Sequence, residues 1–140
     1  MNQSFSFERL LVPYDGSALA DQALPMVVYL APQEAKVILL QVVPDYGQEL
    51  GPEEVWQDGE ALERAKVLAQ RDLHRAAGWL TAHRADLRIT HLTEGGDPAT
   101  EILRVAERVN AGVIVLASAG HAGVGRLATG TVAERVTRHA

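Results

Sequence analysis

The sequence contains no cysteine among its 140 residues, and only 5% of its residues are aromatic. The absence of thiols excludes a disulfide framework and any cysteine nucleophile or metal ligand. The core must therefore be built mainly from Val, Leu, Ile and Ala. This is feasible because hydrophobic residues make up 47% of the chain. One globular domain spanning 1–140 is predicted.

Long hydrophobic runs are also absent, and none approaches the length of about 20 residues that a membrane span needs. The chain opens with MNQSFSFERLLVPYDGS, which lacks the basic and apolar regions of a secretory signal. The formal net charge of -5 argues against a surface for nucleic acids or membranes. The sequence therefore predicts a soluble cytoplasmic protein with no nucleic-acid or membrane partner.

Several motifs of catalysis and metal binding are missing. None of the five histidines has zinc-like spacing with another ligand, so no metal site is predicted. No Walker-type Gly-x-x-x-x-Gly-Lys-Ser/Thr string occurs, and no Gly-x-Gly-x-x-Gly follows the first apolar run. No Ser-His-Asp set can be assembled at one end of a sheet. No catalytic residue is assigned, and at most a slow enzyme is expected rather than an efficient one.

Four short apolar runs predict β-strands: Leu10–Tyr14, Val37–Val43, Leu87–Leu92 and Gly112–Ser118. Three of them are nearly continuous and rich in β-branched residues, which is typical of strands buried on both faces of a parallel sheet. The run Leu87–Leu92 alternates between apolar and polar residues. It is therefore predicted to be the edge strand.

Helical spacing follows each strand. The predicted helices are Ala18 to about Ala31 with a bend at Pro25, Glu60 to about Arg84 with Leu68 among its inward residues, the segment starting at Pro98, and Thr131 to His139. Ser17 and Asp97 are predicted N-caps. The acidic, turn-rich stretch Pro44–Glu60 is predicted to be a surface excursion. This alternation indicates a doubly wound α/β fold with an open parallel sheet in the flavodoxin-like order 3-2-1-4.

Two strand ends carry residues suited to a ligand. Ligands of open α/β sheets bind beyond the carboxyl ends of the strands, where the strand order reverses. The first strand ends in VPYDGS, and Asp15 there is a good acceptor for ribose hydroxyls or an adenine amine. The fourth ends in a glycine-rich run before the helix that TGTVAE opens, where free N–H groups favour phosphate. A nucleotide crevice is predicted, while simple turns and caps stay open as the alternative.

From LLVPYDGS to GTVAERVTRHA, the chain resembles the universal stress protein family. Nucleotide-binding members of that family carry Gly-x-x-Gly, nine residues, and then Gly-Ser/Thr. Here Gly120, nine intervening residues, Gly130 and Thr131 match, while Ala117 replaces the first glycine. The methyl group of Ala117 could crowd the phosphates or be harmless. The resemblance also implies that Val132 follows the phosphate-binding pair and that the adenosine lies near Pro13, Asp15 and Val42.

The same resemblance implies an adenine nucleotide alpha hydrolase-like fold and a regulator of the stress response. Its ligand would be ATP, with or without Mg²⁺, or another adenine nucleotide. The family's usual fifth strand is missing after VTRHA, and the open edge beside the fourth strand is the expected contact of a homodimer.

Two alternatives follow from the same residues. The first is a stress protein that binds no nucleotide and acts through protein contacts. The second is a phosphoacceptor receiver domain, which shares the fold type. A receiver needs an acceptor Asp at the end of the third strand, and here that strand runs into Thr93-Glu94-Gly95-Gly96. The receiver hypothesis is therefore weak.

Overall fold

The computed structural model describes residues 8–43 and 52–117, with side chains from residue 60 onward in the second range. The predicted alternation of strands and helices is confirmed there, and the helix predicted over Thr131 to His139 lies outside the described residues. In chain order the elements are β1 (Arg9–Pro13), α1 (Ala18–Asp21), α2 (Ala23–Leu30), β2 (Lys36–Val43), α3 (Pro52–His83), β3 (Arg88–Gly95), α4 (Pro98–Arg108) and β4 (Val113–Ile114).

The described strands form one parallel sheet in the order β3-β2-β1-β4, as predicted. The register aligns Pro13 of β1 with Leu40 of β2, and Leu11 of β1 with Ile114 of β4. The alternating strand β3 lies at the edge, which confirms its predicted position. All carboxyl ends of the strands consequently meet along the same side of the sheet.

Apolar residues cover both faces of the sheet, as a doubly wound fold requires. On one face, helices α1, α2 and α3 pack over Leu10, Val12, Val37 and Leu39. On the other face, α4 packs over a second cluster, whose fully or nearly fully buried members are Leu11, Ile38, Leu40, Ala99, Ile102, Val105 and Leu116. The alternation of side chains along each strand produces these two layers.

The first predicted helix is interrupted in the turn before Pro25. The interruption lies at Gln22, whose N–H donates to the carbonyl oxygen of Leu19 at 3.0 Å. Pro25 has no N–H to donate to the carbonyl oxygen of Asp21, four residues earlier, and its ring would clash with that carbonyl in a continuous helix. The predicted bend is therefore found as a break three residues before the proline. The cap at Ser17 is confirmed, since its side chain accepts from the N–H of Ala20.

The second predicted helix begins eight residues earlier than expected. Helix α3 starts at Pro52, so the predicted excursion Pro44–Glu60 is wrong from residue 52 onward, and 44–51 lie outside the described residues. Proline at the first helical position is compatible with a helix start. The inward face of α3 is formed by Ala69, Leu73, Ala76 and Leu80, and not by Leu68, which is 56% exposed. No helix in the described ranges is long and apolar enough to cross a membrane.

Arg84 joins the end of α3 to the end of α2. Its guanidinium donates to the carbonyl oxygens of Val28, Ala31 and Pro32 at 2.8–3.2 Å. It also forms a bidentate pair with Asp86, at 2.9 and 2.8 Å. The Arg84 pair and the N–H of Glu34 hold the pKa of the Asp86 carboxyl well below its usual range.

The stabilisation from Asp86 is expected to disappear in acid. A carboxyl with a depressed pKa in the folded state stabilises the fold above its ordinary pKa, near 4, and less as the pH falls further. Asp86→Asn should therefore lower the thermal midpoint most at neutral pH, and the difference from the parent should shrink below about pH 4. Calorimetric scans between pH 7 and pH 3 measure this. A difference that stays constant over that range would contradict the assignment.

Candidate functional site at the carboxyl edge of the sheet

The structure places four of the predicted site residues on neighbouring strand ends. Pro13 ends β1, Asp15 follows two residues later, Val42 is the penultimate residue of β2, and Ala117 lies three residues after β4. Because β1 lies between β2 and β4, these residues line one edge of the sheet. The other predicted site residues lie outside the described residues: Gly120, Gly130, Thr131 and Val132.

The loop after β1 is a closed turn. Ser17 N–H donates to Asp15 Oδ1 at 3.0 Å, and Ser17 Oγ in turn accepts from Ala20 N–H at 3.0 Å. Gly16, between them, has φ +81°, a conformation that favours glycine. The turn-and-cap interpretation is therefore correct for this loop. The turn uses only Oδ1 of the Asp15 carboxylate. Asp15 is exposed, and its Oδ2 accepts no hydrogen bond from the described residues.

Tyr14 anchors the loop to the body of the fold. Its N–H donates to Leu40 O at 2.7 Å, which continues the sheet pairing by one step. Its ring is buried, and its hydroxyl donates to Asp21 Oδ1 while accepting from Arg75 Nη2 at 3.2 Å. Burial and the hydrogen bond to Asp21 raise the pKa of the Tyr14 phenol, so it stays protonated at neutral pH.

Helix α3 forms the wall behind this loop. A Cβ atom placed on Gly16 would lie 2.4 Å from Asp72 Oδ2, so the backbone and the carboxylate are in close contact. Asp72 Oδ1 also lies 3.7 Å from Arg75 Nη2. The loop is therefore fixed by both the sheet and α3.

No sequence pattern predicts the contacts of Asp72 and Arg75 with this loop or the role of the Tyr14 hydroxyl. Asp72 and Arg75 are three residues apart, which is a common spacing for a surface ion pair on a helix. Tyr14 was assigned to an apolar strand. A contact between residues about 60 positions apart leaves no periodic pattern in a sequence, so only the fold reveals it.

The adjacent strand ends present different surfaces. Val42 packs on the α4 side of the sheet, and Ala117 packs against the core on the opposite side. Gln41 carries a buried Oε1 that accepts no hydrogen bond from the described residues. Buried acceptors are nearly always paired in folded proteins, so this atom indicates a donor that the described residues do not supply.

The chemistry of this edge favours a ligand with hydrogen-bond donors. Asp15 is exposed, its Oδ2 accepts no hydrogen bond from the described residues, and it lies at the same edge of the sheet as the apolar residues Pro13 and Val42. Such a combination suits a sugar hydroxyl or an exocyclic amine attached to a flat apolar ring. Within the described ranges, no group of three or more His, Asp or Glu residues could hold a metal ion.

Nearly the whole chain is similar to known proteins. Residues 6–140 match the model of the universal stress protein family. The chain is 31% identical to universal stress protein MJ0531 of Methanocaldococcus jannaschii, over 96% of this chain and 78% of that protein.

Solved structures share the fold. Universal stress protein UspA from Lactobacillus plantarum is 24% identical, with a TM-score of 0.81 over 98% of this chain and 94% of that one. A universal stress protein solved in complex with cAMP is 19% identical, with a TM-score of 0.62 over 97% and 91% of the two chains. The family match spans nearly the whole sequence, and the chain therefore belongs to the universal stress protein family.

Proposed function

We propose that this protein binds ATP or another adenine nucleotide at the carboxyl edge of the sheet and acts as a regulator of the stress response. The observation that supports this most is the loop after β1, which is fixed on two sides and leaves Asp15 Oδ2 without a described partner. A preorganised acceptor costs little to present to a ligand, and it suits the nucleoside end of a nucleotide. Adenine would lie near Val42 and Asp15.

The phosphate end is proposed from the sequence. The backbone N–H groups between Gly120 and Gly130, with those of Thr131 and Val132, would bind the phosphates as donors at a helix start. Mg²⁺, where present, would be held by phosphates and water. The cAMP complex of a relative with this fold supports a nucleotide ligand.

Ala117 is compatible with this proposal. Its side chain packs against the core cluster that contains Leu10 and Val115. A methyl group directed into the core does not compete with phosphate for space. We therefore favour the interpretation in which alanine at this position is harmless to binding.

Mg-ATP is expected to raise the thermal midpoint of the pure protein. A ligand that binds only the folded state stabilises it by about 2.7 kcal/mol at 100 times its Kd. Differential scanning calorimetry with millimolar Mg-ATP, and with inorganic tripolyphosphate and cAMP for comparison, measures the effect. If neither nucleotide shifts the midpoint and titration calorimetry shows no heat, the protein does not bind these ligands.

A homodimer is expected, with the edge beside β4 as its interface. β4 is an outer strand of the described sheet, and an open sheet edge is a surface for pairing with a second chain. Light scattering at micromolar concentrations should give twice the chain mass of 15.1 kDa. A mass that stays at 15.1 kDa across that range would exclude the dimer.

The second candidate function is regulation through protein contacts without a nucleotide. Apolar side chains exposed on α2 and α3 support it: Tyr29 is 83% exposed, Leu68 is 56% exposed and Val67 is 51% exposed. Exposed apolar side chains of this size are typical of contact surfaces when they lie together. This candidate takes the place of nucleotide binding if both nucleotides fail in the calorimetric test.

A further inference from the structure

The two residues that flank Asp15 are both held by one turn of α3. Tyr14, before Asp15, accepts a hydrogen bond from Arg75 Nη2 at 3.2 Å. Gly16, after Asp15, packs against the carboxylate of Asp72. Asp72 and Arg75 are also paired with each other at 3.7 Å. The residues on either side of Asp15 are thus connected through the Asp72–Arg75 ion pair.

We propose that Asp72 and Arg75, the α3 pair, are positioning residues that fix the Asp15 carboxylate for nucleoside binding. The inference rests on the proposed function, and it assigns part of the protein's affinity for the nucleoside to residues outside the ligand-binding loop. The α3 pair acts through Tyr14 and Gly16 and makes no contact with the ligand.

The described contacts show why a second anchor is needed. The sheet holds this loop through one backbone hydrogen bond, from Tyr14 N–H to Leu40 O. Asp15 itself is exposed, so its side chain has few packing contacts to restrict it. A binding group must be held within about 0.5 Å of its productive position, which requires support from its neighbours.

Helix α3 is suited to provide that support. Ala69, Leu73 and Ala76 bury the same part of the helix against the sheet. The side chains of the α3 pair therefore project from a backbone that is fixed by core packing. The Tyr14 hydroxyl has a second partner, Asp21 on α1, so it connects the loop to two helices.

Titration calorimetry with adenosine and with inorganic tripolyphosphate tests the proposal. Arg75→Met should weaken adenosine binding by about three- to tenfold, the cost of ordering one or two groups, and leave tripolyphosphate binding unchanged. Tyr14→Phe removes the hydrogen bonds of the hydroxyl to both Arg75 and Asp21, so it should weaken adenosine binding at least as much. The double variant should be no weaker than Tyr14→Phe, because Arg75 acts through that hydroxyl.

The matched control is Arg64→Met. Arg64 is an exposed residue of the same helix that pairs with Glu60 at 3.7 Å and has no hydrogen bond or ion pair with the loop among the described residues. Its substitution removes the same charge from α3 and should leave adenosine binding unchanged. An equal loss in Arg64→Met, or an equal loss for tripolyphosphate in Arg75→Met, would overturn the proposal.

Amide hydrogen exchange at Ser17 reports the loop without any ligand. This N–H is bonded to Asp15 Oδ1, so it should exchange faster in Arg75→Met and Tyr14→Phe, while the amide of Leu39 in β2 serves as a reference for global stability. If the Ser17 amide exchanges at the parental rate in both variants, the positioning role is wrong. It is also wrong if exchange is faster but adenosine affinity stays at the parental value. If the parent binds neither adenosine nor Mg-ATP, the proposed function fails, and Ser17 exchange alone decides whether the α3 pair fixes the loop.

Discussion

Alanine in place of Gly16 is expected to lower the thermal midpoint by about 10 °C. Two costs add at this position. The backbone has φ +81°, where a residue with a Cβ atom is strained by about 1–3 kcal/mol. The new methyl group would also lie 2.4 Å from Asp72 Oδ2, so the carboxylate must move away. A loss of about 2–4 kcal/mol corresponds to roughly that change in midpoint for a chain of this size.

Two further variants separate these costs. In an Asp72→Ala background the carboxylate is gone and only the Cβ of residue 72, 3.2 Å from the added methyl group, remains, so Gly16→Ala should cost mainly its backbone strain there. Gly78→Ala is the matched control, because Gly78 lies on α3 with no atom within 4 Å of an added Cβ. It should stabilise the protein by about 0.5–1 kcal/mol through helix propensity. Equal costs of Gly16→Ala in both backgrounds would show that the contact with Asp72 is unimportant.

The architecture was accessible from the sequence because it depends on local patterns. Strands buried on both faces appear as continuous apolar runs, and the alternating run that includes Ile89 and His91 marked the edge strand β3. The order 3-2-1-4, predicted from the flavodoxin-like class of doubly wound folds, is confirmed. Caps at Ser17 and Asp97 were recognisable because their side chains bond within three residues.

Boundaries were less accessible, since tertiary context sets them. The first helix breaks at Gln22, three residues before the proline that signals the break. The segment from Pro52 onward is helical although its composition favours turns. In the second case the preference of single residues was a weaker determinant than the context of the helix.

The residues of the candidate site also differ in how far the sequence predicts them. Asp15 could be named because it follows a predicted strand, and Pro13 and Val42 because the family resemblance indicates them. The structure brings all three to one edge of the sheet. The groups that hold the loop could not be named. The hydrogen bond from Arg75 to Tyr14 spans 61 residues and depends on the path of α3 over the sheet. Contacts of that kind follow from the fold and not from spacing.

Valine in place of Gly130 is expected to reduce ATP affinity by about 100-fold or more. Gly130 is the last glycine of the family motif and precedes Thr131, whose backbone N–H would bind phosphate. A branched side chain there would hinder the approach of phosphate to two or more backbone N–H groups, and each hydrogen bond to a charged group contributes about 1.5–3 kcal/mol. Titration calorimetry with ATP and with adenosine measures the loss, which should be much smaller for adenosine.

Gly78→Val is the matched control for this substitution. It introduces the same side chain at an exposed glycine of α3, outside the loop that would bind the phosphates, where no atom lies within 4 Å of an added Cβ. Its ATP affinity should stay within about threefold of the parent, a change below 1 kcal/mol. The two variants should also unfold at similar temperatures without ligand, because neither is predicted to lie in the core. If Gly130→Val retains parental ATP affinity, the phosphates do not lie at this helix start. If ATP and adenosine lose affinity equally, the substitution acts on the nucleoside end, and the orientation proposed for the nucleotide along the edge of the sheet is wrong.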